Sequence, residues 1–255
     1  DALNFCFWGE PRWEVQYRGQ WANGYWALAV ALRRAVEEGV PILDASYLSQ
    51  MSLRDLAHVL RGRGEVPLLG ERLANLREVG QRLLASYDGQ FANAVEVADH
   101  SAVALVRLLA RDFPSFDDVA TYRGREVRFF KRAQICAADL AGAFEGQRWG
   151  RFHDLDRLTA FADYKVPQVL RRLGILEYAP ELARKIDARV LLPAGSEEEV
   201  EIRAATVWGV EELRQALAGR GVRLTASQVD WYLWDLGQQR TPDEKPYHLT
   251  RTIYY

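Results

Sequence analysis

The chain has 255 residues, of which 49% are hydrophobic and 27% charged, enough to bury a large core and still enclose a pocket. Its 33 Lys and Arg against 35 Asp and Glu leave a net charge of -2, which argues against tight non-specific binding to a long polyanion, though a single nucleotide needs only one or two phosphate contacts. No apolar run reaches membrane-spanning length, and Cys6 and Cys136 stand in unrelated contexts without CxxC or Cys/His spacing; no metal site is expected, only two reduced, buried thiols.

Trp13 to Trp21 alternates apolar and polar residues around Tyr17-Arg18-Gly19, the pattern of a short hairpin with an Arg-Gly turn. Tyr25 to Glu38 reads as a helix with Asn23 as its N-cap and Gly39 and Pro41 as its stop. Ser52-Leu53-Arg54-Asp55 opens a second helix through about Leu60. Glu71 to Ala85 carries a stripe at Leu73, Leu76, Val79, Leu83 and Leu84, and Ser101 to Arg111 continues the pattern. Val119 to Phe130 repeats the hairpin signal around Tyr122-Arg123-Gly124. Helices are predicted over Lys131 to Phe144, Asp154 to Phe161 and Val166 to Leu173. Ser196-Glu197-Glu198-Glu199 has capping-box spacing for a long helix toward Leu217, and Thr225 to Leu236 is the last helix. Loops are expected at Gly62 to Gly70, Gly146 to Gly150, Leu192 to Gly195 and Gln239 to Tyr247. None resembles an interdomain linker. The expected fold is mainly α: one helical domain with short β-hairpins, a division into two lobes around a pocket being left open.

The densest chemistry lies at Asp230-Trp231-Tyr232-Leu233-Trp234-Asp235, two carboxylates around three aromatics. Burying a charge is costly unless it is paired, so the pattern suits either a pocket for a flat heterocycle with an N–H edge or a partly buried helix whose aspartates pair with arginines. Asp230 and Asp235 are about 140° apart on an ideal helix and cannot share the centre of one face. Asp163, between Phe161 and Tyr164, is either the cap of the helix that follows or a carboxylate facing a bound nucleoside's sugar. Lys131 and Arg132 at a strand-to-helix junction form either a solvated basic cluster or an anion site. In the tail, Arg251 and Thr252 could hold a phosphate and His248 could shuttle protons; the alternative is a packed terminal segment. P-loop, GxGxxG, HExxH and GxSxG signatures are all missing, so kinase, dehydrogenase, metalloprotease and α/β-hydrolase readings lose support.

Leu3-Asn4-Phe5-Cys6-Phe7-Trp8, Gly24-Tyr25-Trp26, Phe129 to Ile135, Phe161 to Gln168, Val200 to Arg203, Asp230 to Asp235 and Thr252 to Tyr255 resemble, in order, blocks of the queuosine salvage protein family. The resemblance implies an all-helical fold similar to helix–hairpin–helix DNA glycosylases. It also implies hydrolysis of queuosine 5′-phosphate to queuine and ribose 5-phosphate, without a cofactor. In site terms it implies a catalytic Asp163 beside Phe161 in the base site, base contacts from Asp230, Trp231 and Asp235, and Lys131 as a second catalytic candidate, either near the ribose phosphate or by the reacting sugar. Tyr164 and Arg251 complete the expected substrate contacts. A preceding stretch with a base-contacting histidine is implied as well, ahead of Asp1. The expected partners are the small-molecule substrate and its product, with no direct nucleic acid and no membrane, for a monomer in the cytoplasm. The rival readings are a helical DNA glycosylase, which flips its base from duplex DNA, and a non-catalytic nucleotide-binding module.

Overall fold

A computed structural model describes residues 1–239, 241 and 244–255. Both Arg-Gly turns form. β1 (Glu14–Tyr17) pairs antiparallel with β2 (Gln20–Asn23), and β3 (Val119–Tyr122) with β4 (Arg125–Arg128). At each turn both central residues have positive φ: 48° and 79° at Arg18 and Gly19, 47° and 76° at Arg123 and Gly124. That geometry matches the twist of paired strands, and glycine adopts it without a Cβ clash. The first hairpin runs two residues past the predicted segment, to Asn23.

The rest is helical. In order come α1 (Gly24–Glu37), α2 (Ala45–Gln50), α3 (Leu53–Val59), α4 (Leu69–Ser86), α5 (Phe91–Val97), α6 (Ala102–Asp112), α7 (Lys131–Ala143), α8 (Lys165–Arg172), α9 (Pro180–Asp187), α10 (Glu197–Gly219) and α11 (Ala226–Leu236). The expected mainly α class with short hairpins is what the chain adopts. No helix of the described residues is long and apolar enough to cross a membrane. Cys6 and Cys136 are unpaired and buried, as expected.

Several local expectations need correction. α2, α5 and α9 went unread because six to eight residues hold too few turns to display a period. The helix predicted over Asp154 to Phe161 does not form beyond one 3-10 turn at Leu155–Arg157. The Asp154 carboxylate instead accepts hydrogen bonds from the Ser101 hydroxyl and the Ala102 N–H, capping α6 from outside. Residues 158–163 then run without a helix, burying Leu158, Ala160 and Phe161. The Ser52–Asp55 box is complete. The Ser196 box is half formed: its hydroxyl accepts the Glu199 N–H, but the Glu199 carboxylate accepts from Gly195 N–H. Asn23 takes the N-cap position of α1 without a side-chain cap bond. The loop expected at Gln239 to Tyr247 lies partly outside the described residues.

The core falls into three main clusters. Trp13, Val15, Leu28, Leu56 and Leu73 tie the first hairpin to α1, α3 and α4. Ala94, Leu105, Leu109, Phe113 and Ala137 join α5, α6 and α7. Val166, Val169, Leu170, Val210, Val229 and Leu233 join α8, α10 and α11. At Gly237, just past α11, an added Cβ would lie 2.9 Å from Val169 Cγ2 and 3.0 Å from Lys165 Cε. Glycine there lets α11 seat closely on α8.

Two buried arginines fix the N-terminal segment. Arg72 donates to the carbonyls of Leu3, Phe5, Cys6 and Pro67 and lies 4.3 Å from the Phe5 ring centre. Arg132 donates to the carbonyls of Asp1, Ala2 and Ser115. A planar, permanently charged donor fork suits such multiple carbonyl capture. The consequence is that Asn4, Phe5 and Phe7 are carried against the far parts of the chain.

Candidate active site

α7 starts abruptly after β4. Phe130 has φ of 48°, a sharp left-handed turn that aims the next residue, Lys131, inward. Lys131, Ile135 and Asp139 follow at intervals of four, which places them on one face of α7, and all three line a cavity. Counted out to its open mouth, the cavity holds about 1070 Å³. α11 supplies Asp230, Trp231 and Trp234, residues 158–165 supply Phe161, Asp163, Tyr164 and Lys165, and the N-terminal segment supplies Asn4, Phe5 and Phe7. Tyr25 and Trp26 come from the start of α1, Tyr247 and Tyr255 from the tail.

The aromatics form a wall. Trp234 meets Trp231 at 5.7 Å between ring centres and 76°, and Tyr25 at 6.0 Å and 87°. Trp26, 54% exposed, and Trp231, 39% exposed, have accessible ring surface. Edge-to-face packing of this kind holds rings rigid while leaving other faces for a planar guest.

Opposite this surface chemistry lies a buried group of charges. Asp163 Oδ1 accepts the N–H groups of Lys165 at 2.9 Å and Val166 at 2.8 Å, while Oδ2 has no hydrogen-bond partner among the described residues. Helix cap and cavity wall are therefore the same carboxyl group. Asp230 Oδ1 accepts the Phe161 N–H at 2.9 Å, which ties α11 to the segment carrying Asp163. The Lys131 side chain is buried, and its ammonium makes no hydrogen bond among the described residues.

These three groups act on one another. Burial raises the Asp163 carboxyl above its usual value, while Lys131 and the two N–H donors pull it back. Asp230 goes well above the ordinary carboxylate value, first through burial and then through the negative charge of Asp163. Burial lowers Lys131, and Asp163 offsets part of that. With two helix-start donors and a larger pull from Lys131, Asp163 is the more readily ionised of the two carboxyls, while burial and the charge of Asp163 favour the protonated form of Asp230. Pairs driven apart in this way can divide base and acid roles between them.

The predicted site residues separate into two sets. Asp163, Lys131, Phe161, Tyr164, Asp230 and Trp231 come together on the cavity. Asp235 and Arg251 do not: Asp235 is exposed, and Arg251 is exposed with its guanidinium 5.4 Å from the Trp8 ring centre. A further five residues around α11 from Asp230 carries Asp235 off the lining face. Arg132 is taken up by carbonyls and is no anion ligand. Asn4, Phe5, Arg12, Asp139 and Tyr247 line the cavity without having been singled out as site residues. The spacing of Asp139 from Lys131 was the available signal for one of them.

His248 is no shuttle. It is buried, off the cavity wall, with Nε2 3.2 Å from the Tyr255 hydroxyl, and burial then Arg203 push its pKa down to about 3. Because the folded value lies below the usual 6.5, its stabilising contribution is present above pH 6.5 and is lost as pH falls toward about 3. His248→Gln is therefore expected to flatten the dependence of the melting temperature on pH across that window. Parallel curves for parent and variant would show that His248 does not set the acid limit.

The queuosine salvage protein family matches residues 1–255. A protein of Sphaerobacter thermophilus is 60% identical over 255 residues, covering all of this chain and 79% of that protein. Those of Bos taurus and Mus musculus are 41% and 39% identical over 270 and 269 residues, again spanning all of this chain and 79% and 80% of theirs. Each is named queuosine 5′-phosphate N-glycosylase/hydrolase. By a match that runs from the first residue to the last, the chain belongs to the queuosine salvage protein family.

Proposed function

We propose that residues 1–255 form one domain that hydrolyses the N-glycosidic bond of queuosine 5′-phosphate, releasing queuine and ribose 5-phosphate. The observation that carries the reading is the juxtaposition of Asp163, Asp230 and Lys131 beneath an aromatic wall, in a chain whose relatives bear that activity in their names. Queuine is a flat 7-deazaguanine, and stacking on Trp231 and Phe161 fits its ring; such stacking is worth about 1–3 kcal/mol per base.

The chemistry follows from charge. As the bond from C1′ to the base breaks, its electron pair leaves with the base and positive charge grows on the sugar. Ionised Asp163, fixed by two backbone donors, stabilises that charge and accepts the proton of the attacking water. The water oxygen bonds to C1′. Asp230, whose protonated form burial and the charge of Asp163 favour, can give a proton to the departing base. Lys131 favours the ionised form of Asp163 and offsets part of what burial does against it. Water is the only co-reactant. The substrate is read as free nucleotide, and the protein as a monomer.

The phosphate is assigned to the cavity mouth. A dianion beside ionised Asp163 would be repelled, whereas Arg12 and Lys165 line the same cavity. Asp235 and Arg251 are left out of the proposed site. The test is incubation with queuosine 5′-phosphate, with the nucleoside and with base-modified duplex DNA, followed by detection of free base. The nucleotide is expected to be hydrolysed with the highest kcat/KM, and Arg12→Ala to lower the nucleotide-to-nucleoside ratio roughly 10-fold, the worth of one charge-assisted contact. Base release from DNA alone would overturn the substrate, and an unchanged ratio would remove Arg12 from the phosphate.

A further inference from the structure

Behind the cavity lies a second buried cluster that the proposed chemistry does not use. Arg203, on α10, donates from Nη1 to Asp118 Oδ1 at 2.8 Å and from Nη2 to Asp118 Oδ2 at 2.6 Å. Both side chains are 3% exposed. Arg203 Nε donates to the Ala162 carbonyl at 3.1 Å, the residue immediately before Asp163. The Asp118 carboxylate accepts the N–H of Lys131 at 3.1 Å. The Asp118 carbonyl accepts the N–H groups of Phe129 and Phe130, at 3.0 and 3.2 Å. Phe130 is the left-handed residue on which the entry of α7 turns. One ion pair thus reaches the backbone on either side of the reaction centre.

A buried ion pair is a poor device for stability alone, since apolar residues of similar volume often serve as well. Its directional bonds suit the fixing of geometry. The guanidinium plane lies 3.9 Å from the Phe129 ring centre and 4.5 Å from that of Tyr255, so it has little room to turn. Glu199 Oε1, 3.7 Å from Nη1, adds a second negative charge from the same helix. A left-handed non-glycine residue persists only where its surroundings hold it, and Asp118 supplies three acceptor contacts to the turn.

We propose that Asp118 and Arg203 are positioning residues that set the relation of Asp163 to Lys131: Arg203 holds the first through Ala162, and Asp118 holds the second through the start of α7. Neither touches substrate. The inference rests on the reading of Asp163 and Lys131 as the reacting groups.

The test compares Asp118→Asn, Arg203→Lys and Arg203→Gln with the parent on queuosine 5′-phosphate, below each protein's melting temperature and per folded molecule. Asn at 118 still accepts the Lys131 N–H but loses the charged fork. The expected result is a fall in kcat of about 10- to 100-fold, the scale of a small misplacement of reacting groups. KM should change by less than about threefold, the acid limb of the kcat/KM profile should shift, and Arg203→Lys should retain more activity than Arg203→Gln. If the pair only supports the fold, melting temperatures drop while kcat and the pH profile stay those of the parent, which overturns the proposal. Should Asp118→Asn not fold, Arg203→Lys carries the same comparison, because it keeps the charge beside Asp118 and gives up the fork. An inactive parent would sink the functional reading itself. An active parent with parent-like variants would sink only the positioning role.

Discussion

Asp163→Asn is expected to fold, to bind queuine and to hydrolyse queuosine 5′-phosphate at least ~100-fold more slowly than the parent, the scale of a lost electrostatic or acid–base group. The amide oxygen can still accept the Lys165 and Val166 N–H groups, so α8 keeps its cap. What disappears is the negative charge beside Lys131 and the acceptor for a proton. Calorimetry with queuine and single-turnover hydrolysis separate the two effects. Near-parent turnover in a variant with parent-like melting would reduce Asp163 to a helix cap.

Lys131→Ala is expected to lose about 100-fold in kcat/KM, and to lose it equally on queuosine 5′-phosphate and on the nucleoside. The lysine is buried, with its charge balanced first by Asp163, and so is badly placed for a phosphate. Its removal also takes away the cation that pulls the Asp163 carboxyl back toward its usual value. Asp163 then holds its proton to higher pH, so the acid limb of the rate profile should move upward in the variant. A loss confined to the 5′-phosphate would return Lys131 to phosphate binding and leave Asp163 without its partner.

By itself, the sequence determined the helical class, both Arg-Gly hairpins, the long periodic helices and the capping box at Ser52. Those are local features, set by a period, a turn dihedral or a side chain three residues from its amide. The residue pattern alone leaves Asp163, Lys131 and Asp230 open between structural and site roles; with the family resemblance added, Asp163, Lys131, Phe161, Tyr164, Asp230 and Trp231 are expected at the site, and all six line the cavity. Tertiary structure decided the rest. Asp154 spends its carboxylate on α6 rather than on its own segment, and a helix expected there is lost to a contact 52 residues away. The same spacing in the aromatic block admitted either aspartate as a pocket residue, and only the seating of α11 on α8, which Gly237 permits, turns Asp230 inward and Asp235 to solvent. Arg72 and Arg203 read as ordinary charges in the chain, and Arg132 as part of a basic cluster or an anion site. They are buried because each finds carbonyls or a carboxylate from distant segments, and no periodicity reports a partner that folding alone brings within reach.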